Sequence, residues 1–245
     1  MVGWLRSYLL MVKWHALSYQ SLLPLFMVIH IMMTLGIVIG ISLFMPPQFS
    51  DFAKYLITGT PTLILLTTGL VTVPQIVAAA RLEQTFDYMW SLPIPRIIYV
   101  AADASVWFLV ALPGVIISLV IGAIYHDFTL QVSPLIVPAF LLMSIAASFV
   151  GYAFALAVPS PRIAQVGSQV LIFIIMFFSP IMYPVERLPG WMAAIHKVLP
   201  MQYMADLSRG TLTDIDVNLG LSFAVTGAWC VVAVIISWII IMRRH

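Results

Sequence analysis

The chain offers little to do chemistry with: eleven Lys and Arg, nine Asp and Glu, five His and one Cys in 245 residues. The densest group lies in RLEQTFDYMWSLPIPR (residues 81–96), where Arg81, Glu83, Thr85 and Asp87 fall between two long apolar runs. Arg81, Gln84, Thr85 and Tyr88 share one side of a helix, and Leu82, Phe86, Met89 and Trp90 lie mostly on another. This is the pattern of a short amphipathic helix. Pro93 and Pro95 then stop it, because a proline disfavours helical geometry in the residue before it. Its chemistry is mechanical: a polar piece that receives force, attached to an apolar remainder that moves. Charged loops occur in every protein that crosses a membrane many times, so the surroundings of this stretch must carry the case.

The remaining reactive groups are scattered. Asp103 lies about two turns into an apolar run, where an ionisable residue is by default a functional candidate. A snorkelling acid satisfied by Ser or Arg is the plainer reading. His30 is alone in its run and reads as a packed or hydrogen-bonded histidine. His126 and Asp127 suggest metal, but no third ligand stands near, so no metal site is expected. Cys230 sits in an apolar run and reads as a small hydrophobe. The sequence contains no GxxxxGK[ST], HExxH, GxSxG or CxxC pattern, hence no phosphate cradle and no familiar catalytic set.

Composition says what positions these groups. The chain is 62% hydrophobic and 8% charged, against roughly 25% charged in soluble domains. A net charge of +2 without a Lys/Arg-rich run excludes a nucleic-acid partner. A spanning helix needs about 20 mostly apolar residues, and six stretches free of Asp, Glu, Lys and Arg reach that length. We place spans near 22–44, 56–78, 98–123, 134–157, 164–183 and 219–241. The first is too long for a cleaved leader and reads as a retained span. The expected fold is all-α, one polytopic membrane domain over 1–245. Arg6, Lys13, Arg81, Arg96, Arg162, Arg243 and Arg244 on one side outnumber Lys54, Arg187, Lys197 and Arg209 on the other. The positive-inside rule then puts both termini in the cytoplasm.

Residues 3–19 read as an amphipathic helix at the membrane surface, with Leu5, Leu9, Val12, Ala16 and Tyr19 on its apolar face. In the first span, Gly36 and Gly40 are four apart, the spacing that lets helix backbones approach. Met45-Pro46-Pro47 forms an outer turn. Pro61 and Pro74 can kink the second span. The fifth span carries Phe173, Met176 and Phe177, adaptable side chains for apolar ligands. Between the fifth and sixth spans, SPIMYPVERLPGWMAAIHKVLPMQYMADLSRG is too apolar for a free loop and too interrupted for a span. Two short helices near 189–198 and 200–210, dipping back against the bundle, fit it.

These pieces together resemble the type-2 ABC export permeases. The specific part is the outer pattern P-hydrophobic-E-x-L-P-x-W, read here in Pro184, Glu186, Leu188, Pro189 and Trp191. It is followed by L-P-x-x-Y in Leu199, Pro200 and Tyr203. The family's R-x-x-G-T loop appears as Arg81 to Thr85, with Gln84 where glycine is usual.

The resemblance implies a cell-membrane permease with no ATP-binding domain of its own. The chain would not be an enzyme; ATP and Mg would sit on a separate ATP-binding cassette subunit, present in two copies. Coupling to that subunit would run through Arg81, Glu83, Thr85 and Asp87. The pore would be a homodimer, with a substrate path at the seam near Phe173, Met176 and Phe177. Tyr183, Glu186, Trp191 and Tyr203 would belong to an outer lid.

The apolar spans fit export of a hydrophobic or amphipathic compound such as a drug, antibiotic or lipid-like molecule. Export of a lipid-linked glycopolymer is the alternative, with Trp107, Phe173 and Tyr183 as its stacking rings. A secondary transporter would have to rely on Asp103 and His30.

Overall fold

The computed structural model of the protein describes residues 2–44, 50–91 and 94–243. The outer turn Met45-Pro46-Pro47, Pro93, Arg244 and the side chains of Asp87, Trp90 and Arg243 lie outside what is described. The regular elements among the described residues are all helices, with no strand. Among the described residues six helices are long and apolar enough to cross a membrane: Leu23–Leu43, Phe52–Leu82, Arg96–Tyr125, Ile136–Ala157, Pro161–Phe178 and Leu219–Ile240. They agree with the expected spans except at a few ends. The fifth stops at Phe178 rather than near 183, because Pro180 forces Ser179 out of helical geometry, to ψ 142°.

The second and fourth spans form the centre: 72% and 67% of their apolar windows are buried, against 17–22% for the first, fifth and sixth. The central pair meets without side chains in the way. A Cβ on Gly151 would overlap the Gly69 carbonyl, and one on Gly69 would overlap the Ala147 backbone. Thus small residues set the closest approach, as expected where packing rather than water drives association. The second span passes Pro61 as continuous helix and widens into a π turn over Thr68–Thr72. Pro74 follows at once; it offers no N–H to the preceding turn, which relaxes the ladder there. His30 reaches this point from the first span, its Nε2 3.1 Å from Thr68 Oγ1. The Thr68 hydroxyl already donates to the Ile64 carbonyl, so His30 is the donor. It is a hydrogen-bonded packing histidine.

One expectation fails in an instructive way. Gly36 and Gly40 have no neighbouring group within 4 Å of a built Cβ. They lie in a second π turn, Gly36–Gly40, and mark no close contact within the chain. The N-terminal helix, Val2–Ser18, forms as expected, but its packed face carries Met11 and His15, while Leu5 and Leu9 are 63% and 57% exposed. The third span explains the turn: Tyr8 hydrogen-bonds Ser105 at 2.7 Å, and His15 lies against Asp103. Where lipid can cover apolar surface, polar groups rather than leucines choose the packed face.

Beyond the fifth span come a 3-10 turn, Val185–Arg187, and two helices, Gly190–His196 and Pro200–Leu212. The second of these is tied to the link between the third and fourth spans: Gln131 and Ser133 donate backbone N–H groups to the Leu212 and Thr211 carbonyls.

Candidate functional site

At the end of the bundle that carries both termini, the second span runs on to Leu82 and then breaks. The break is at Gln84, which takes the left-handed conformation with φ 61°. Glycine enters that region freely, whereas other L-residues pay roughly 1–2 kcal/mol. This is a physical reason for a glycine in R-x-x-G-T, and glutamine holds the same bend at a cost. Past it lies the short helix Thr85–Ser91. Phe86 and Met89 are buried, Phe86 edge-on to Tyr99 with ring centroids 6.4 Å apart. Leu82, expected on the buried side, is 56% exposed, and Tyr88 is 66% exposed. The bend shifts the helical register between them, so the two do not continue one face. Glu83 is exposed at the bend. Arg81 instead turns inward, its Nη1 donating to the Ala155 carbonyl at 2.7 Å, which links the ends of the second and fourth spans. Of the four expected coupling residues, Glu83 thus faces out, Arg81 braces the bundle and Thr85 is half-buried.

Behind this surface lies a buried polar knot. Asp103 is fully buried and accepts from Trp107 Nε1 at 3.1 Å and from the Tyr152 hydroxyl at 2.6 Å. His15 Nδ1 approaches its carboxylate to 3.2 Å without hydrogen-bond alignment. Burial pushes the His15 imidazole below its usual pKa, against the pull of Asp103. Neither Ser nor Arg satisfies Asp103, contrary to the sequence reading; tryptophan and tyrosine do. The knot joins the N-terminal helix, the third span and the fourth span. The contribution of Tyr152, 49 residues away, carried no local signal, although Trp107 sits at i+4 from Asp103.

At the opposite end, a residue the sequence reading only counted as a charge proves central. Arg209 is 3% exposed. Its Nη2 donates to the Pro180 and Ile181 carbonyls at 2.8 and 2.7 Å, and its Nη1 to Asp206 Oδ1 at 2.8 Å. The guanidinium lies 4.6 Å from the Tyr55 ring centroid. Burial lowers the Arg209 pKa and raises that of Asp206, and each partner opposes the other's shift. The carbonyls that Arg209 holds belong to the segment following the fifth span, where helix ends and acceptors are left over. On the other side, Gly59 of the second span faces the Ile181 carbonyl so closely that a Cβ would overlap it. A polar cavity of about 250 Å³ adjoins, lined by Tyr55, Glu186, Gln202, Arg209 and Asp216 among others. The i, i+3 spacing of Asp206 and Arg209 in an apolar stretch was the available signal.

The expected lid residues are dispersed. Tyr183 and Tyr203 donate hydroxyls to the Phe177 and Lys197 carbonyls, fixing the turns before and after the first outer helix. Trp191 is 66% exposed and borders an apolar cavity of about 440 Å³ with Ile174, Phe178 and Leu199. Glu186 lines the polar cavity instead. Phe173 and Phe177 stack on the open face of the fifth span, 6.3 Å between centroids, while Met176 turns to the core. Trp107 is wholly buried, so it is no ring along a path. His126, considered for metal, lies 2.7 Å from Ser42 Oγ and ties the third span to the first. Among the described residues no His, Cys, Asp and Glu cluster suits a metal ion.

Compared with known protein families, residues 39–239 match the family described as ABC-2 family transporter protein. A comparison with curated proteins returns no match.

Proposed function

Since the chain belongs to the ABC-2 family transporter proteins, we propose that it forms half of an ATP-driven export pore for hydrophobic or amphipathic compounds. The membership makes it the transmembrane permease subunit of an ABC transporter, a multi-pass membrane protein working with an ATP-binding partner subunit. Two copies of the chain and two of the partner assemble in the cell membrane, with both termini cytoplasmic. The partner docks on the short helix Thr85–Ser91, and its closure on ATP displaces that helix.

The observation that carries this reading is the mechanical layout of the second span. It is one helix from Phe52 to Leu82, about 45 Å long at 1.5 Å per residue. One end bears the bent docking helix and the Arg81 brace. The other bears Gly59, packed on the segment held by Arg209. A push at the docking helix therefore reaches the end of the fifth span through one continuous helix, π turn included, rather than through a chain of loops. The fifth span's open face, with Phe173 and Phe177, supplies the seam, and alternating access there exports the substrate.

Glu83 tests the reading, since it faces out and holds no buried contact. Glu83→Lys is expected to leave membrane insertion and folding intact and to cut co-purification of the ATP-binding subunit at least tenfold, about 1.4 kcal/mol. ATP-dependent transport into inverted vesicles falls with it. Unchanged co-purification and transport would remove the docking assignment.

A further inference from the structure

A cavity of about 280 Å³ opens between the N-terminal helix, the bend at Glu83 and the start of the third span. Its walls include Trp14, Tyr19 and Tyr99, with Ile76 beneath and Glu83 and Thr85 at the rim. Trp14 and Tyr99 are tilted by 45° with centroids 6.2 Å apart, forming two sides of a box. Glu83 makes no ion pair among the described residues; burial above all, then Asp103 and with a smaller share Glu83, holds the neighbouring Tyr19 hydroxyl in its neutral form. The nearest buried charge behind the aromatic wall is Asp103, again an acid, with the His15 imidazole beside it.

An aromatic box closed by a carboxylate attracts an organic cation, whose charge meets ring faces and whose carbon surface meets ring area. The volume falls below the roughly 300–1,000 Å³ of drug-sized sites, and it suits a headgroup rather than a whole substrate. The neighbouring surface is apolar and open: Leu17, Leu22 and Leu25 are 55%, 39% and 54% exposed. A ligand seated in the box can lay a hydrocarbon tail along them.

We propose that this cavity is a binding site for the ammonium headgroup of a membrane lipid, placed so that occupancy bears on the bend at Glu83. The proposal goes beyond the export reading. Its test needs no ATP-binding subunit, so failure of lipid binding and failure of coupled transport are separate results.

The test uses the full purified chain, delipidated in detergent and given equal amounts of phosphatidylethanolamine and phosphatidylglycerol with identical tails. Retained lipid is counted by native mass spectrometry. Wild type is expected to retain the ammonium lipid about fivefold over the other. Glu83→Gln, an exposed change that leaves the fold alone, and Trp14→Leu should each bring retention near parity. Trp191→Leu, at the opposite end, should leave the preference unchanged. Tetramethylammonium added in large excess distinguishes the source. Weak displacement supports a lipid-borne headgroup; complete displacement overturns the lipid assignment in favour of a soluble amine. Equal retention by wild type, a preference for phosphatidylglycerol drawn by nearby Lys13, or an unchanged preference in Glu83→Gln overturns the proposal.

Discussion

Replacing Arg209 with methionine removes the charge while keeping most of the side chain's volume. Three groups then lose their donor: the Pro180 and Ile181 carbonyls and the Asp206 carboxylate. An unsatisfied buried acceptor costs about 1–3 kcal/mol, and breaking a buried pair costs about 3–5 kcal/mol. The terms do not add in full. Asp206 keeps 18% side-chain exposure, and the adjoining cavity of about 250 Å³ admits water. The net loss should therefore lie near the lower end, about 3 kcal/mol. At roughly 2–4 °C per kcal/mol for a chain of this size, thermal unfolding in detergent should fall by about 6–12 °C, read by fluorescence-detected size exclusion. Adding Asp206→Asn to Arg209→Met removes the stranded carboxylate and should restore about 1–2 kcal/mol. A single variant within about 0.5 kcal/mol of wild type, the range of ordinary surface changes, would refute the clamp. So would a double variant no better than the single.

Gly59→Ala drives a methyl into the Ile181 carbonyl, and the shift needed should cost about 1–3 kcal/mol in the same assay. Gln84→Gly keeps the bend at φ 61° without a side-chain penalty; stability should rise by up to about 1 kcal/mol, whereas Gln84→Val should lower it. A chain that tolerates valine there without loss would show that the bend is not fixed. For pH, the sign follows from His15, whose pKa is lowered by burial. The docked helix prefers the neutral ring, so its contribution is complete above about pH 6.5 and is lost as pH falls toward the folded value. Amide protection in the N-terminal helix, corrected for the intrinsic exchange rate at each pH, should fall between pH 7 and 5, and His15→Gln should flatten the response.

Much of the architecture was legible because it follows from one solvent constraint. A run without Asp, Glu, Lys or Arg that is long enough to cross a bilayer can only be helix, since each backbone polar group must be satisfied within its own segment. Hence the six spans and the two short helices after the fifth could be read from composition and proline position, while the end of the fifth span was placed near 183 rather than at Phe178. The charged stretch at residues 81–96 was equally visible as a dense group of charges between two spans.

What the sequence could not supply was partnership. Hydrophobic periodicity picks the packed face of a helix only when water drives burial. In this chain lipid also solvates leucine, so Leu5 and Leu9 face outward while His15 and Tyr8 find Asp103 and Ser105. Arg209 looked like one more outer charge until the fold set two freed carbonyls, Asp206 and the Tyr55 ring around it. Gly36 and Gly40 have the right spacing but face no neighbouring group, while Gly59 and Gly151 meet backbone without a glycine partner at that spacing. The sequence by itself determined which segments are helices, because that is settled by local backbone satisfaction. Which polar groups meet across those helices was decided only by the tertiary structure, because their energies depend on partners far apart in the chain.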